Sequence, residues 1–399
     1  MQRALATLVL VGLHLTAVFG QSDDLIKGTQ QLLAKFQHGD MGAMSDLAAQ
    51  MAALSEKEFG PRDPDHAFLV FFLAVAQMDQ GRMHDAELNL QKALSIVKGA
   101  PSLLKHQEPY AGFIYMGFGR FHGQRGELGK AEQYLLESAK TLERVGGKDA
   151  AYALPINELG NFYKDQGNYA KAETYLYEAA EIRRKTLGEN HFNYGVSLNN
   201  LASLYEQMGN YRAAAIYYED SYGIWSKTLG PNHPLLATAF NNYAGLYVKT
   251  GSYNEAEQFY LKALSICQTV YGERHPYYTS TLANLGNLYR LMRQPAKAEQ
   301  FGLKALELRP ADQSVDHAYS MNNVALAKMD LGKLQDAENM LSQAMSIFKE
   351  QLGKNHKNVA TCANNLGVIN IKLDRPDKAA VYLKQSLGIA LERIDYVFP

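Results

Sequence analysis

A unit with a period of mostly 42 residues recurs along this chain of 399. The clearest copies read NNLASLYEQMGNYRAAAIYY (Asn199 to Tyr218), NNYAGLYVKTGSYNEAEQFY (Asn241 to Tyr260) and ANLGNLYRLMRQPAKAEQF (Ala283 to Phe301). One small residue after each turn sets the register: Ala86, Ala131, Ala172, Ala214, Ala256, Ala298, Ala337 and Ala379, spaced by 45, 41, 42, 42, 42, 39 and 42 residues. Stepping back 42 from Ala86 reaches Met44, behind Gly39, so a degenerate first copy precedes eight clear ones. Self-similarity of this length means a stacked, quasi-one-dimensional protein rather than a globule around one core.

Each copy reads as two helices. Leu198, Leu201, Ala202 and Tyr205 follow the i, i+3, i+4, i+7 spacing of one helix face. Gly209-Asn210 then breaks the helix. In the next copy, Ala256, Phe259, Tyr260, Ala263, Leu264 and Cys267 form the stripe of the second helix. The first helix also keeps a small residue at one position: Gly160, Ala202, Ala244, Gly286, Ala325 and Gly367. Small residues there let antiparallel helices approach closely. Gly inside a helix costs about 1 kcal/mol against Ala, so its recurrence implies tight packing.

These residues resemble a known family. The pattern L-G/A-x-x-Y, then G-x-Y, then A-E-x-x-Y/F, then A-L is similar to the tetratricopeptide repeat. The usual period there is about 34 residues. The extra residues here sit in connectors such as TLGENHF (Thr186 to Phe192), TLGPNHP (Thr228 to Pro234), VYGERHP (Val270 to Pro276) and QLGKNHK (Gln351 to Lys357). With the N-N-L-A helix, they resemble the kinesin-light-chain subtype. The resemblance runs from about Leu25 to Ile394. It implies an all-α, right-handed superhelical solenoid of about nine antiparallel helix pairs. Cargo transport is not carried over, because the heptad segment that pairs light with heavy chain is absent.

The expected organisation is a signal peptide over 1–20, the degenerate repeat over 21–60 and an eight-repeat array over 61–399. The leader reading rests on Arg3, the largely apolar run from Ala4 to Phe19, and the polar turn at Ser22-Asp23-Asp24, with cleavage after Gly20. That run is shorter than the roughly 20 residues an anchor needs. A secreted or extracytoplasmic location follows, a bacterial periplasm included. Cys267 and Cys362 fall in different repeats and read as small buried residues rather than a bridge.

In the connectors, Gly188, Gly230, Gly272 and Gly353 read as left-handed C-cap glycines. Pro234 and Pro276 read as helix starts. His191, His233, His275 and His356 share one column. Spaced a repeat apart, they cannot converge on a metal and read as structural hydrogen-bonding groups. No metal or other cofactor is expected.

The strongest candidate site is a pair of asparagine columns in the first helices. One reads Asn157, Asn199, Asn241, Ala283, Asn322, Asn364, and its neighbour Glu158, Asn200, Asn242, Asn284, Asn323, Asn365. Asn is a mediocre helix former, so its repetition needs a reason. First helices line the concave groove of the family. The resemblance therefore implies that Asn157, Asn199, Asn241, Asn322 and Asn364, with Asn161 and Asn287 one turn on, offer amides to the backbone of an extended peptide. The alternative is that both columns bridge repeats by bonding to the preceding linker. For the Asn200 column the structural role is the expected one. Lys164, Glu206, Lys249 and Arg290 are too mixed to form a basic clamp and read as solvated surface.

A net charge of -1 argues against a nucleic-acid surface. Many of the 25 tyrosines are absorbed by repeat positions such as Tyr163, Tyr205, Tyr247 and Tyr289. G-x-S-x-G, H-E-x-x-H and C-x-x-C are all absent. Glu173, Glu257, Glu299 and Glu338 recur with the helix pattern and so serve the repeat. The expected function is a non-catalytic, exported interaction module that binds a protein or peptide partner. Two alternatives stay open: a self-associating scaffold, using Leu383, Leu387 and Leu391 at the C-terminal end, and an accessory subunit of a secreted or periplasmic enzyme system.

Overall fold

The computed structural model describes residues 24–25, 27–28, 30–31, 41–79, 82–103, 105, 107–309 and 315–397. The expected leader over 1–20, its cleavage point after Gly20, and Gly39 lie outside the described residues. Seventeen α-helices and no strand occur among the described residues. They group into two compact units, divided between Pro234 and Leu235.

In the first unit, α1 (Met41–Phe59) precedes four helix hairpins. These are α2 (Pro64–Asp79) with α3 (Met83–Gly99), α4 (Tyr110–Gln124) with α5 (Leu128–Gly146), α6 (Ala153–Asp165) with α7 (Tyr169–Leu187), and α8 (Phe192–Gln207) with α9 (Tyr211–Thr228). The second unit holds α10 (Pro234–Thr250) with α11 (Tyr253–Tyr271), α12 (Pro276–Leu291) with α13 (Pro295–Leu308), α14 (Val315–Asp330) with α15 (Leu334–Leu352), and α16 (Lys357–Lys372) with α17 (Pro376–Val397). Eight hairpins therefore carry the eight clear copies. Helix α1 stands against α2, where the second helix of the degenerate copy is expected.

The eight anchor alanines are all buried, none more than 3 % exposed. A methyl group added at Gly160 would lie 2.6 Å from Leu176, and one at Gly367 would lie 2.7 Å from Leu383. The missing side chain on the first helix is the space into which the leucine of the second helix fits. Gly119, which the sequence reading did not single out, does the same against Leu135.

The hairpin turns are equally regular. Gly126, Gly167, Gly209, Gly251 and Gly332 have φ between 74° and 81°. At the same register position Arg293 and Asp374 take φ of 62° and 56°. A side chain in left-handed backbone costs about 1–2 kcal/mol. Arg293→Gly is therefore expected to raise stability by about 1 kcal/mol, read as a higher denaturation midpoint. A drop would show that the guanidinium contributes more than the strain removes.

The connector glycines depart from the expected cap. Gly188, Gly272 and Gly353 have positive φ, but their ψ of about 158° to 168° is extended rather than left-handed helical. Gly230 is not among the positive-φ glycines, because α9 ends a residue earlier, on Leu229 in extended conformation.

Candidate functional site

Successive first helices within a unit are tied by their asparagines. In the first unit Asn200 Nδ2 donates to Asn157 Oδ1 at 2.8 Å. In the second, Asn365 Nδ2 donates to Asn322 Oδ1 at 3.2 Å. A second-column amide thus bonds a first-column amide of the preceding repeat. The columns do bridge repeats here, but to each other rather than to the linker. A mid-helix Asn here gives its side-chain amide a hydrogen-bond partner one repeat away.

The expected peptide-binding residues divide by burial. Asn157 and Asn199 are 2 % and 3 % exposed, and Asn161 is 1 % exposed. Asn322 is also buried and holds Asn365, while Cys362 Sγ lies 3.8 Å from its Oδ1. Asn241 is half-buried, and its Nδ2 donates to Thr281 Oγ1 and to the Ala237 carbonyl, both at 3.1 Å. Asn364 is exposed and Asn287 half-buried, and neither forms a side-chain hydrogen bond among the described residues. Asn284, assigned to the structural column, is likewise exposed and unbonded. Thr281 engages Asn241 in its place, and Ala283 interrupts the first column on the same helix.

The open amide of Asn364 shares its helix face with apolar residues that also face outward. On α16, Asn364, Val368 and Ile371 are spaced i, i+4, i+7, and Ile371 is 59 % exposed. On α14, Leu326 is half-buried. Leu326 and Val368 stand outside the hydrophobic cluster joined by Met321, Ala325, Leu366 and Ile369. The first-helix face of the second unit therefore offers free amides, hydroxyls such as Thr361, and aliphatic contact.

A second ladder runs from first helices back to the preceding second helices. Tyr205 donates to Glu173 at 2.5 Å, Tyr289 to Glu257 at 2.6 Å, and Tyr163 to Glu132. Lys328 and Asn370 reach Glu299 and Glu338 in the same way, at 3.0 Å and 3.1 Å. Burial, with the bond to Glu257, pushes the Tyr289 phenol up to about 12. These carboxylates are committed to the repeat. The mixed charges include one correction: Lys164 is buried, not solvated, and donates to Ser203 at 3.1 Å.

The histidine column caps helices. His191, His275 and His356 each accept through Nδ1 from the backbone N–H two residues on, at 3.2 Å, at the starts of α8, α12 and α16. No group of three or more His, Cys, Asp or Glu among the described residues is placed to hold a metal ion. Cys267 and Cys362 are buried free thiols, which burial raises to about 11 and about 12.

A family model for the tetratricopeptide repeat matches residues 151–227, 217–266, 235–311 and 316–392, more than half of the chain. The chain is a tetratricopeptide repeat protein. No curated protein matches it. Among solved structures, a Rap protein complexed with Competence and Sporulation Factor is similar, with 12 % identity, TM-score 0.64, and 94 % of this chain and 99 % of that one covered. The apo form of the quorum sensor NprR from B. thuringiensis has 16 % identity and TM-score 0.59, covering 92 % and 99 %. Nearly identical TPR-like repeats of a Podosopora anserina putative kinesin light chain have 23 % identity and TM-score 0.41, covering 49 % and 94 %. At these identities the likeness is one of fold. Within this tetratricopeptide repeat protein, Asn157, Asn241 and Asn322 serve as internal ties to a facing amide or hydroxyl, whereas Asn284, Asn287 and Asn364 form no side-chain hydrogen bond among the described residues.

Proposed function

We propose that the protein is a non-catalytic interaction module that holds an extended segment of a protein partner on the first-helix face of its second unit. The observation that carries this reading is the set of open amides, Asn284 and Asn287 on α12 and Asn364 on α16, the last on the same face as Val368 and the exposed Ile371. An amide can pair with both the N–H and the C=O of a peptide backbone. Packed helices lie about 10 Å apart and an extended chain rises about 3.3 Å per residue. Amides on successive first helices then fall about three peptide residues apart, and the step from α12 to α16 spans about six. A Rap protein of similar fold, solved complexed with Competence and Sporulation Factor, supports the idea that such a stack can hold a ligand.

The test is selection of eight-residue peptides from a random library, followed by titration. Asn287→Ala with Asn364→Ala is expected to leave the denaturation midpoint unchanged. Affinity for the selected peptides should fall by about fivefold to a hundredfold, at about 0.5–1.5 kcal/mol per lost bond. Equal binding by the double variant would remove the site. Self-association is the second reading, favoured by Leu387 and Leu391, which are 60 % and 53 % exposed on α17. A library that selects nothing, together with a sedimenting dimer abolished by Leu387→Glu, would place the function there.

Export is the second element of the proposal, resting on the apolar run from Ala4 to Phe19. Mass analysis of the protein from its native source should find the chain starting at Gln21. An intact Met1 terminus in a cytosolic fraction would refute it.

A further inference from the structure

Arg183, on α7, is 0 % exposed and among the largest fully buried side chains. It sits eleven positions after the anchor Ala172. Five of the other copies hold Val97, Leu142, Trp225, Cys267 and Phe348 at this register position, all buried and apolar. A guanidinium in an apolar column needs a partner, because an uncompensated buried charge is strongly unfavourable. What it has is one nitrogen's worth of contacts. Nη1 donates to Ser197 Oγ at 2.8 Å, and lies 3.4 Å from the Asn193 carbonyl and 3.5 Å from Asn157 Oδ1. Nε and Nη2 have no partner. Among the described residues no carboxylate forms an ion pair with it.

Arg309 makes the contrast inside the same molecule. It occupies the equivalent position in the second unit, and it has a carboxylate, with Asp316 at 3.9 Å, as well as Thr279 Oγ1 at 2.9 Å. Arg183 lacks that counter-charge. Its neighbourhood holds more unpartnered donors than acceptors. Asn193, 0 % exposed and in touch with Arg183 through its carbonyl, has an unpartnered side-chain amide at both ends. Asn161 Nδ2, one turn after Asn157 on α6, is also unpartnered. The buried Glu158 acts on Arg183 only from beyond ion-pair distance, and burial still lowers the guanidinium to about 10. Burial lowers the His191 imidazole, and Arg183 depresses it further. Unpartnered buried donors are unfavourable, and native proteins leave few of them.

We propose that the seam between α6, α7 and α8 binds a small monovalent anion, a carboxylate or halide, with Arg183 as its counter-charge and the amides of Asn193 and Asn161 as further donors. This site belongs to the first unit and does not rest on the peptide reading of the second. Four buried donors, Arg183 Nε and Nη2, Asn193 Nδ2 and Asn161 Nδ2, lack partners against one acceptor, Asn193 Oδ1, so an acceptor-only ion supplies most of what the cluster lacks.

The only tryptophan reports on it. Trp225 is buried, and its Nε1 donates to the Phe192 carbonyl at 3.0 Å, next in sequence to Asn193. Acetate, titrated into the full chain at constant ionic strength against bulky gluconate, is expected to change Trp225 emission saturably and to raise Tm. Arg183→Met should weaken the response by roughly tenfold or more, since hydrogen bonds to a charged group are the strong ones. Arg309→Met should respond as the wild type does. Arg183→Lys, which keeps the charge but loses the fork of donors, serves the same comparison should the methionine variant not fold. A capped Gly-Glu-Gly peptide separates a free anion from a carboxylate carried by a partner. Full burial of Arg183 predicts a response to acetate alone, and a response to the peptide alone would assign the carboxylate to a bound chain. A wild type with no saturable response to either probe, or an Arg183→Met variant that responds as the wild type does, would overturn the proposal and leave the seam to ordered water.

Discussion

Trp225→Ala is expected to destabilise the first unit by about 3–5 kcal/mol, the range for emptying a fully buried aromatic site. The argument begins at Gly195 on α8. A methyl group added there would stand 2.6 Å from Trp225 Nε1, so the indole fills the space that the glycine leaves. Its N–H satisfies the Phe192 carbonyl in the first turn of α8. Truncation therefore opens a cavity between α8 and α9 and removes the indole's hydrogen bond to a backbone carbonyl. In a repeat array the loss is felt locally, because each repeat contacts only its neighbours. Denaturation followed by circular dichroism should show an earlier transition, not a uniform shift. Trp225→Phe keeps most of the volume and should lose about 1–2 kcal/mol, mainly the hydrogen bond. A loss below 1 kcal/mol for the alanine variant would mean that the site collapses freely.

Asn157→Ala is expected to destabilise by about 1–3 kcal/mol, because it leaves the Asn200 amide without its acceptor and takes one contact from Arg183. Asn200→Ala should cost a similar amount. The double variant should lose about 1 kcal/mol less than the sum of the two, the coupling expected of residues in direct contact. Strict additivity would show that the bond contributes nothing. Asn364→Ala is the control. It sits in the same column but is exposed and unbonded, and alanine is the better helix former, so its effect should stay within about 0.5 kcal/mol. One column thus contains residues whose replacement by alanine should differ sharply in its effect on stability.

That difference separates what was legible from what was not. The all-helical hairpins could be read because a stacked array makes its contacts at constant sequence separation, so geometry is written as period. The buried anchors from Ala86 to Ala379, the close approach at Gly160 and Gly367, and the capping histidines 191, 275 and 356 all recur with the period. Asp374 and Arg293 at turn positions could likewise be aligned with their glycines, though their positive φ needed the backbone itself.

The accessibility of each asparagine was decided elsewhere. Asn157 and Asn364 have the same helix propensity and the same register, yet one is buried and the other open. The difference lies in what packs against them, which no local window contains. Asn200 stands across from Asn157, Thr281 captures Asn241, and Ala283 leaves a gap in the column on α12. Arg183 makes the same point from inside. Its position was predictable from the period, but its want of a counter-charge became visible only when Ser197 and Asn193, from the following helix, were brought against it. Period alone determines which residues face the neighbouring repeat. Whether a polar group there is satisfied depends on the individual side chain opposite, and only tertiary packing supplies that.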